Sequence, residues 1–222
     1  MRGPEFYDRQ YFDGDRSKSG YTHYGHRPTF DARYALAALH VGFETMGPLF
    51  PFQEATIVDL GGAKGLFVSW LKKFMPQAHI FNTDWSEYAM KNALPEVRKY
   101  TFRSDVQELP VCSGSCDLVL CIDVLEHLDK KAIPAALSEI QRIMKCGSKT
   151  VLVPNIGEDS KSSVDESHVS IRSREWWVAE VEKHGLRVRD TSSRRLIRSI
   201  ARQKFCPFIP TVRPGLIIAE KA

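Results

Sequence analysis

Residues 57–67, IVDLGGAKGLF, constrain this chain more than any other stretch. An apolar run enters a glycine-rich turn and leaves in a helical pattern, the opening of a strand–turn–helix unit that must pack into a sheet covered by helices. The pattern recurs. Strands are expected over 55–60, 78–83, 100–103, 116–122 and from 150 to 153, with a closing pair over 186–188 and 216–220. Helices are expected over 31–47 with Asp31 as cap, over 65–75 stopped near Pro76, and over 86–94 with Ser86 as cap. Two more are expected over 133–144, closed by Gly147, and over 173–184, ended by Gly185. This alternation predicts a mostly parallel sheet with helices on both faces. At 222 residues it is a single α/β domain large enough to need no disulfide or metal staple. Ligands of such sheets sit outside the carboxyl ends of the strands, so the residues just past each strand are the ones to read for function.

The turn itself excludes two nucleotide sites. A phosphate-binding P-loop needs GxxxxGK followed by Ser or Thr, but here Lys64 precedes Gly65. A dinucleotide site needs GxGxxG, and the glycines stand at 61, 62 and 65. Asp59 would also repel a pyrophosphate. A cationic nucleoside reverses that sign. S-adenosylmethionine carries an ammonium and a sulfonium and no phosphate, and a strand-end carboxylate attracts both. Asp84 ends the second strand, about twenty residues past the glycines, where a ribose-binding acid belongs. Trp85 follows it and can lie against an adenine. Asp105, after the third strand, can accept from the adenine amino group while the Val106 amide donates to the ring. Each acid alone reads as a helix cap. Three at successive strand ends read as a site.

With these residues the sequence resembles the class I S-adenosylmethionine-dependent methyltransferases, in the large group acting on small molecules. The resemblance runs from about residue 54 to 188 and more loosely to the end. It is carried by VDLGGAKG, TDWSEYAM, SDVQELP, CDLVLCIDVLEHL and ALSEIQRIMKCGSKTVLVPN. It implies a Rossmann-like seven-stranded sheet, mostly parallel with an antiparallel last strand. By position it implies cofactor contacts at Asp59, Gly61, Gly65, Asp84, Trp85, Asp105, Val106 and Ile122. Two departures stand out: Ala63 replaces a glycine, and Cys146-Gly147-Ser148 replaces a Pro-Gly-Gly turn.

The methyl acceptor is expected where the fourth strand ends, at Asp123-Val124-Leu125-Glu126-His127. His127 suits a general base, and His168 is a second candidate from a later loop. The spacing of Asp123, Glu126 and His127, with His168 as a further candidate ligand, is similar to the ExxEH of metal-dependent methyltransferases acting on small-RNA termini and polyprenyl catechols. The same letters occur in metal-free relatives, and a divalent metal is not expected. Residues 1–50 read as an aromatic lid followed by a helix. In the lid, Ser19 and Tyr21 are placed to touch the methionine end of the cofactor. Asn155 and the lid complete the expected acceptor pocket.

Composition narrows the rest. A net charge of +4 permits an acidic partner without demanding one. Five scattered cysteines form no paired framework and indicate a reducing compartment. No apolar run approaches the roughly 20 residues that span a bilayer, and no leader segment is read at the N-terminus, so a cytoplasmic location is expected. Residues 190–214 form a basic insertion between the closing strands, and 194–209 alternate basic and apolar positions. That segment is expected to pack on the sheet or cover the pocket, with peripheral contact to an acidic membrane as an alternative. No appended nucleic-acid module is evident, so RNA is not the expected partner. Oligomeric state is not dictated by any pattern here. The expected activity is methyl transfer to an O or N of a small molecule. The alternatives are an RNA methyltransferase, a non-catalytic S-adenosylmethionine-binding partner protein, or, on the glycine turn alone, an NAD-linked oxidoreductase.

Overall fold

Side-chain alternation along each strand divides the apolar residues between the two faces of one sheet. The protein's structure, a computed structural model, describes residues 2–14, 35, 38–39, 41–42, 44–47, 52–157, 165–189 and 215–222. The strands are β1 (Thr56–Leu60), β2 (His79–Asp84), β3 (Thr101–Arg103), β4 (Cys116–Ile122), β5 (Met144–Val153), β6 (Leu186–Val188) and β7 (Ile217–Lys221). They lie in the order β3-β2-β1-β4-β5-β7-β6. The first five pair in parallel, and β7 enters between β5 and β6, antiparallel to both. This is the mostly parallel, seven-stranded Rossmann-like sheet expected from the sequence.

The helices are α1 (Arg9–Asp13), α2 (Leu66–Phe74), α3 (Glu87–Lys91), α4 (Ile133–Ile143) and α5 (Arg174–Lys183). Ile57, Ile80, Leu118, Leu120 and Val151 pack on one face against Phe67, Val68 and Leu71 of α2. Val58, Leu60, Val119, Cys121 and Leu152 pack on the other. There α4 brings Ala136, Leu137 and Ile140, and α5 brings Trp177 and Val181. Truncating a fully buried aromatic such as Trp177 to alanine costs about 3–5 kcal/mol. The described residues between 35 and 46 are helical, and Ala38 and Val41 join the first core.

Two elements depart from expectation. The fourth helix ends at Ile143 and β5 begins at once with Met144, so Gly147 closes no helix. Met144 is buried and pairs with Cys116. The strand then bulges, with Gly147 at φ 74°, before Lys149 pairs with Leu118. A glycine inside a strand marks such a bulge as readily as a helix end. The helix expected over 86–94 is shortened to Glu87–Lys91, because Asn92 turns back to bond the carbonyls of Tyr88 and Met90.

Candidate cofactor and acceptor site

The strand order reverses between β1 and β4: β1 continues to β2 on one side, β4 to β5 on the other. The crevice at their carboxyl ends is where a doubly wound sheet binds its ligand. Asp59 pairs with Asn82 across β1 and β2, and Asp84 lies two residues further on. Period two therefore puts all three side chains on the α2 face, under the glycine turn.

β2 fixes the backbone of that turn. Asn82 Nδ2 donates to the Ala63 carbonyl (3.0 Å), the Ala63 N–H donates to Asp84 Oδ2 (2.9 Å), and the Gly62 N–H donates to the Thr83 carbonyl (2.9 Å). A Cβ at Gly62 would lie 2.1 Å from Asn82 Oδ1 and 2.5 Å from Asp59 Oδ2, so only glycine fits. Gly65 caps α2 in the left-handed region at φ 82°. Gly61 backs onto Val124 at the β4 exit, where a Cβ would come within 2.3 Å. Ala63, the departure from the family pattern, holds φ 51°.

Asp59 is 3% exposed, with no hydrogen bond to its carboxylate among the described residues. Burial, and then the charge of Asp84, push its pKa up to about 8. Burial also lifts Asp84 to about 6, against the backbone amides of Ser86, Ala63 and Trp85, which favour its ionised form. Two neighbouring carboxylates held toward neutrality form a pocket for positive charge. The donor set therefore fits an ammonium and a sulfonium, as S-adenosylmethionine carries. Asp84 accepts the Ser86 and Ala63 amides on separate oxygens, which leaves a lone pair on each for ribose hydroxyls. Trp85 is half-buried beside it. Asp105 uses its carboxylate in its own turn, accepting the Gln107 N–H at 2.9 Å and the Gln107 amide group at 3.2 Å. Val106 is half-buried against the second core, and Ile122 against the first.

Past β4, Asp123 takes φ 55° and its N–H bonds the Val153 carbonyl, so the chain swings into a 3-10 turn, Leu125–His127. Glu126 is fully buried, and its carbonyl accepts the Val169 and Ser170 amides at 3.0 and 2.9 Å. That fastens the loop carrying His168 beside His127, with ring centroids 4.8 Å apart. Burial, then the neighbouring His168, depress the His127 pKa to about 4, so the ring is neutral at physiological pH. Ligand-capable atoms of Glu126, His127 and His168 lie within 4.8 Å of one another. By type they are compatible with a divalent ion. Of the four candidates named from the sequence, Glu126, His127 and His168 form this cluster and Asp123 is not part of it.

The N-terminal segment crosses this site. Tyr7 sets its ring edge-on to His127 at 5.7 Å, the Ser86 hydroxyl bonds the Tyr7 carbonyl, and the Tyr11 hydroxyl donates to Asp165 Oδ2 at 2.9 Å. Asp13 accepts the Lys64 ammonium on both oxygens at 2.6 Å. Asn155 is buried and its Oδ1 accepts the Gly157 N–H. Ser19, Tyr21 and the 190–214 insertion lie outside the described residues. Sequence reasoning did not single out Asp13, Lys64, Asn82, Asp165 or Ser167. Only Asn82 carried a signal, as a polar residue inside an apolar strand.

Residues 58–152 match a family described as a methyltransferase domain, a span that holds the glycine turn, Asp84, Asp105 and the β4 exit. The matched span covers less than half of the chain and coincides with β1 to β5 of the sheet. No curated protein sequence matches it. Solved structures share the methyltransferase fold at low identity. A SAM-dependent methyltransferase from Archaeoglobus fulgidus is 20% identical with a TM-score of 0.63, covering 96% of this chain and 97% of its own. Geranyl diphosphate methyltransferase in complex with GPP and sinefungin is 15% identical with a TM-score of 0.60, covering 87% and 83%. The [4+2]-cyclase SpnF is 14% identical with a TM-score of 0.60, covering 86% and 80%.

Proposed function

We propose that this protein is a methyltransferase that moves the methyl group of S-adenosylmethionine to an oxygen or nitrogen of a small-molecule acceptor, and that residues 1–222 act as one domain. The observation that carries this reading is His127. It is a neutral imidazole at the β4 exit, walled by Tyr7 and His168 in a site that the N-terminal segment crosses. A site bounded by aromatic edges suits a small acceptor better than a polymer. Asp59 and Asp84 hold the cationic and ribose parts of the cofactor, with Trp85, Asp105, Val106, Ile122, Gly61 and Gly65 completing its cradle. Ser19 and Tyr21 are assigned to the methionine end by resemblance alone. Bound there, S-adenosylmethionine supplies an electrophilic methyl on a sulfonium and leaves as a neutral thioether. Alignment of the acceptor supplies most of the rate. His127 takes the proton that the acceptor loses, with His168 beside it.

Among the described residues no helix is long and apolar enough to cross a membrane. Cys112, Cys116, Cys121 and Cys146 are free thiols, which supports a reducing, cytoplasmic setting. The test is a turnover screen that follows S-adenosylhomocysteine release over a panel of phenols, amines, carboxylates and prenyl diphosphates, with structured RNA as the contrasting substrate. Turnover on a small molecule that His127→Gln lowers by about 10²-fold or more supports the reading. Turnover on RNA alone, with steep salt dependence, or cofactor binding with no turnover at all, overturns it.

A further inference from the structure

Hydrogen bonds around Asp165 decide which nitrogen of His127 carries its proton. Asp165 is 5% exposed and Ser167 is fully buried. Asp165 Oδ1 accepts both the Ser167 N–H (2.9 Å) and the Ser167 hydroxyl, while Oδ2 accepts the Tyr11 hydroxyl. Ser167 has a single hydroxyl proton, and it points at Asp165 Oδ1. Ser167 Oγ also lies 2.7 Å from His127 Nδ1. With its proton already engaged, that oxygen can only accept, and Nδ1 must donate. The reverse arrangement would aim the Ser167 proton at His127 and press two bare oxygens, Ser167 Oγ and Asp165 Oδ1, against each other.

We infer that Asp165 and Ser167 are positioning residues that hold His127 in its Nδ1–H tautomer and leave the Nε2 lone pair to take the acceptor's proton. The last clause rests on the small-molecule reading above; the tautomer does not. When His127 gains that proton, its Nδ1–H stays on Ser167, one hydrogen bond away from the Asp165 carboxylate. The charge of Asp165 favours this imidazolium and that of His168 opposes it. Tyr7 faces the ring and, like Tyr11, hydrogen-bonds Ser167. The backbones of Ser167 and Asp123 also bond His127 and favour its protonated form, and Glu126 belongs to the turn that carries the ring. The hydroxyl of Tyr11 ties the same carboxylate to α1, so the N-terminal segment helps fix the relay.

The experiment is a long-range proton–nitrogen NMR spectrum of the full ¹⁵N-labelled chain at pH 7, with His127 assigned by its loss in His127→Gln. The expected wild-type pattern is a protonated Nδ1 and an unprotonated Nε2. In Ser167→Ala the Nδ1–H form is lost in favour of Nε2–H, and Ser167→Thr, which keeps the hydroxyl, retains the wild-type pattern. An Nε2–H tautomer in the wild type overturns the inference, and so does a wild-type pattern surviving in Ser167→Ala. The wild-type spectrum is decisive even if Ser167→Ala does not fold. Because the spectrum is taken without acceptor, its outcome is independent of the turnover screen. Calorimetric binding of S-adenosylhomocysteine to the same samples verifies an intact cofactor site.

Discussion

Lys64 and Asp13 meet in a buried ion pair that joins the glycine turn to the first helix, with side chains 5% and 15% exposed. Tyr88 adds its hydroxyl to the same carboxylate at 2.6 Å. Removing one partner of a buried pair strands the other charge, which costs about 3–5 kcal/mol, whereas removing both is much milder. Asp13→Ala is therefore expected to destabilise the protein by about 3 kcal/mol. Lys64→Met combined with Asp13→Ala should recover most of that loss. Urea unfolding of the two single variants and the double variant measures the coupling; additive losses would show that the pair does not hold the segment down.

Asp59 predicts opposed effects on stability and binding. Folded, it keeps its proton up to about pH 8; its ordinary value is 3.8. Between these values the folded state holds more protons than the unfolded state, so this group's contribution to stability falls as pH rises. Asp59→Asn should stabilise the ligand-free protein more at pH 8.5 than at pH 5. The same substitution should weaken S-adenosylmethionine at least about tenfold. Wild-type affinity should rise with pH toward 8 as the carboxylate ionises, and the variant should lose that dependence. Calorimetry across pH reads both.

His127 behaves with the opposite sign. Its folded pKa of about 4 lies below the ordinary 6.5. The unfolded chain binds the extra proton in that window, so stability is present above 6.5 and is lost as pH falls toward 4, by about 3 kcal/mol. An NMR titration of the His127 ring should show a midpoint near 4, and His127→Gln should flatten the acid limb of the stability curve. A midpoint near 6.5 would remove the premise that the ring is desolvated.

Gly62→Ala tests the steric floor of the turn. The new methyl would meet Asn82 Oδ1 and Asp59 Oδ2 at 2.1 and 2.5 Å, and overpacking of this kind costs about 1–3 kcal/mol. Loss of S-adenosylhomocysteine binding should accompany it, because Asp59 and the turn must both move. Unchanged affinity would mean that the turn has slack that its hydrogen bonds do not suggest.

The parts of this molecule that were legible in the sequence are those set by local periodicity. The fourth strand lies at Cys116–Ile122, as its apolar run required. The acids at the ends of β1 and β2 fall where alternation along the strands put them. What resisted reading depends on contacts between distant segments. Lys64 reads as a surface residue until Asp13 is folded over it. Ser167 and Asp165 sit in a polar stretch that resembles any loop. The early start of β5 at Met144 was hidden because a helix and a strand can share a residue boundary with no turn residue between them. The sequence grouped Asp123, Glu126, His127 and His168, but the backbone at Asp123 turns left-handed and only the other three come together.

The place of β7 has a kinetic consequence. Among the described residues, β6 touches the sheet only through β7, which comes later in the chain. The segment carrying α5 and β6 therefore has no hydrogen-bonded partner strand until residues 217–221 slot in beside β5. Completing the sheet requires a contact spanning from Lys149 to Glu220, a long loop closure. A chain caught before that step would present the β5 edge unpaired, ready to accept a strand from a neighbouring molecule.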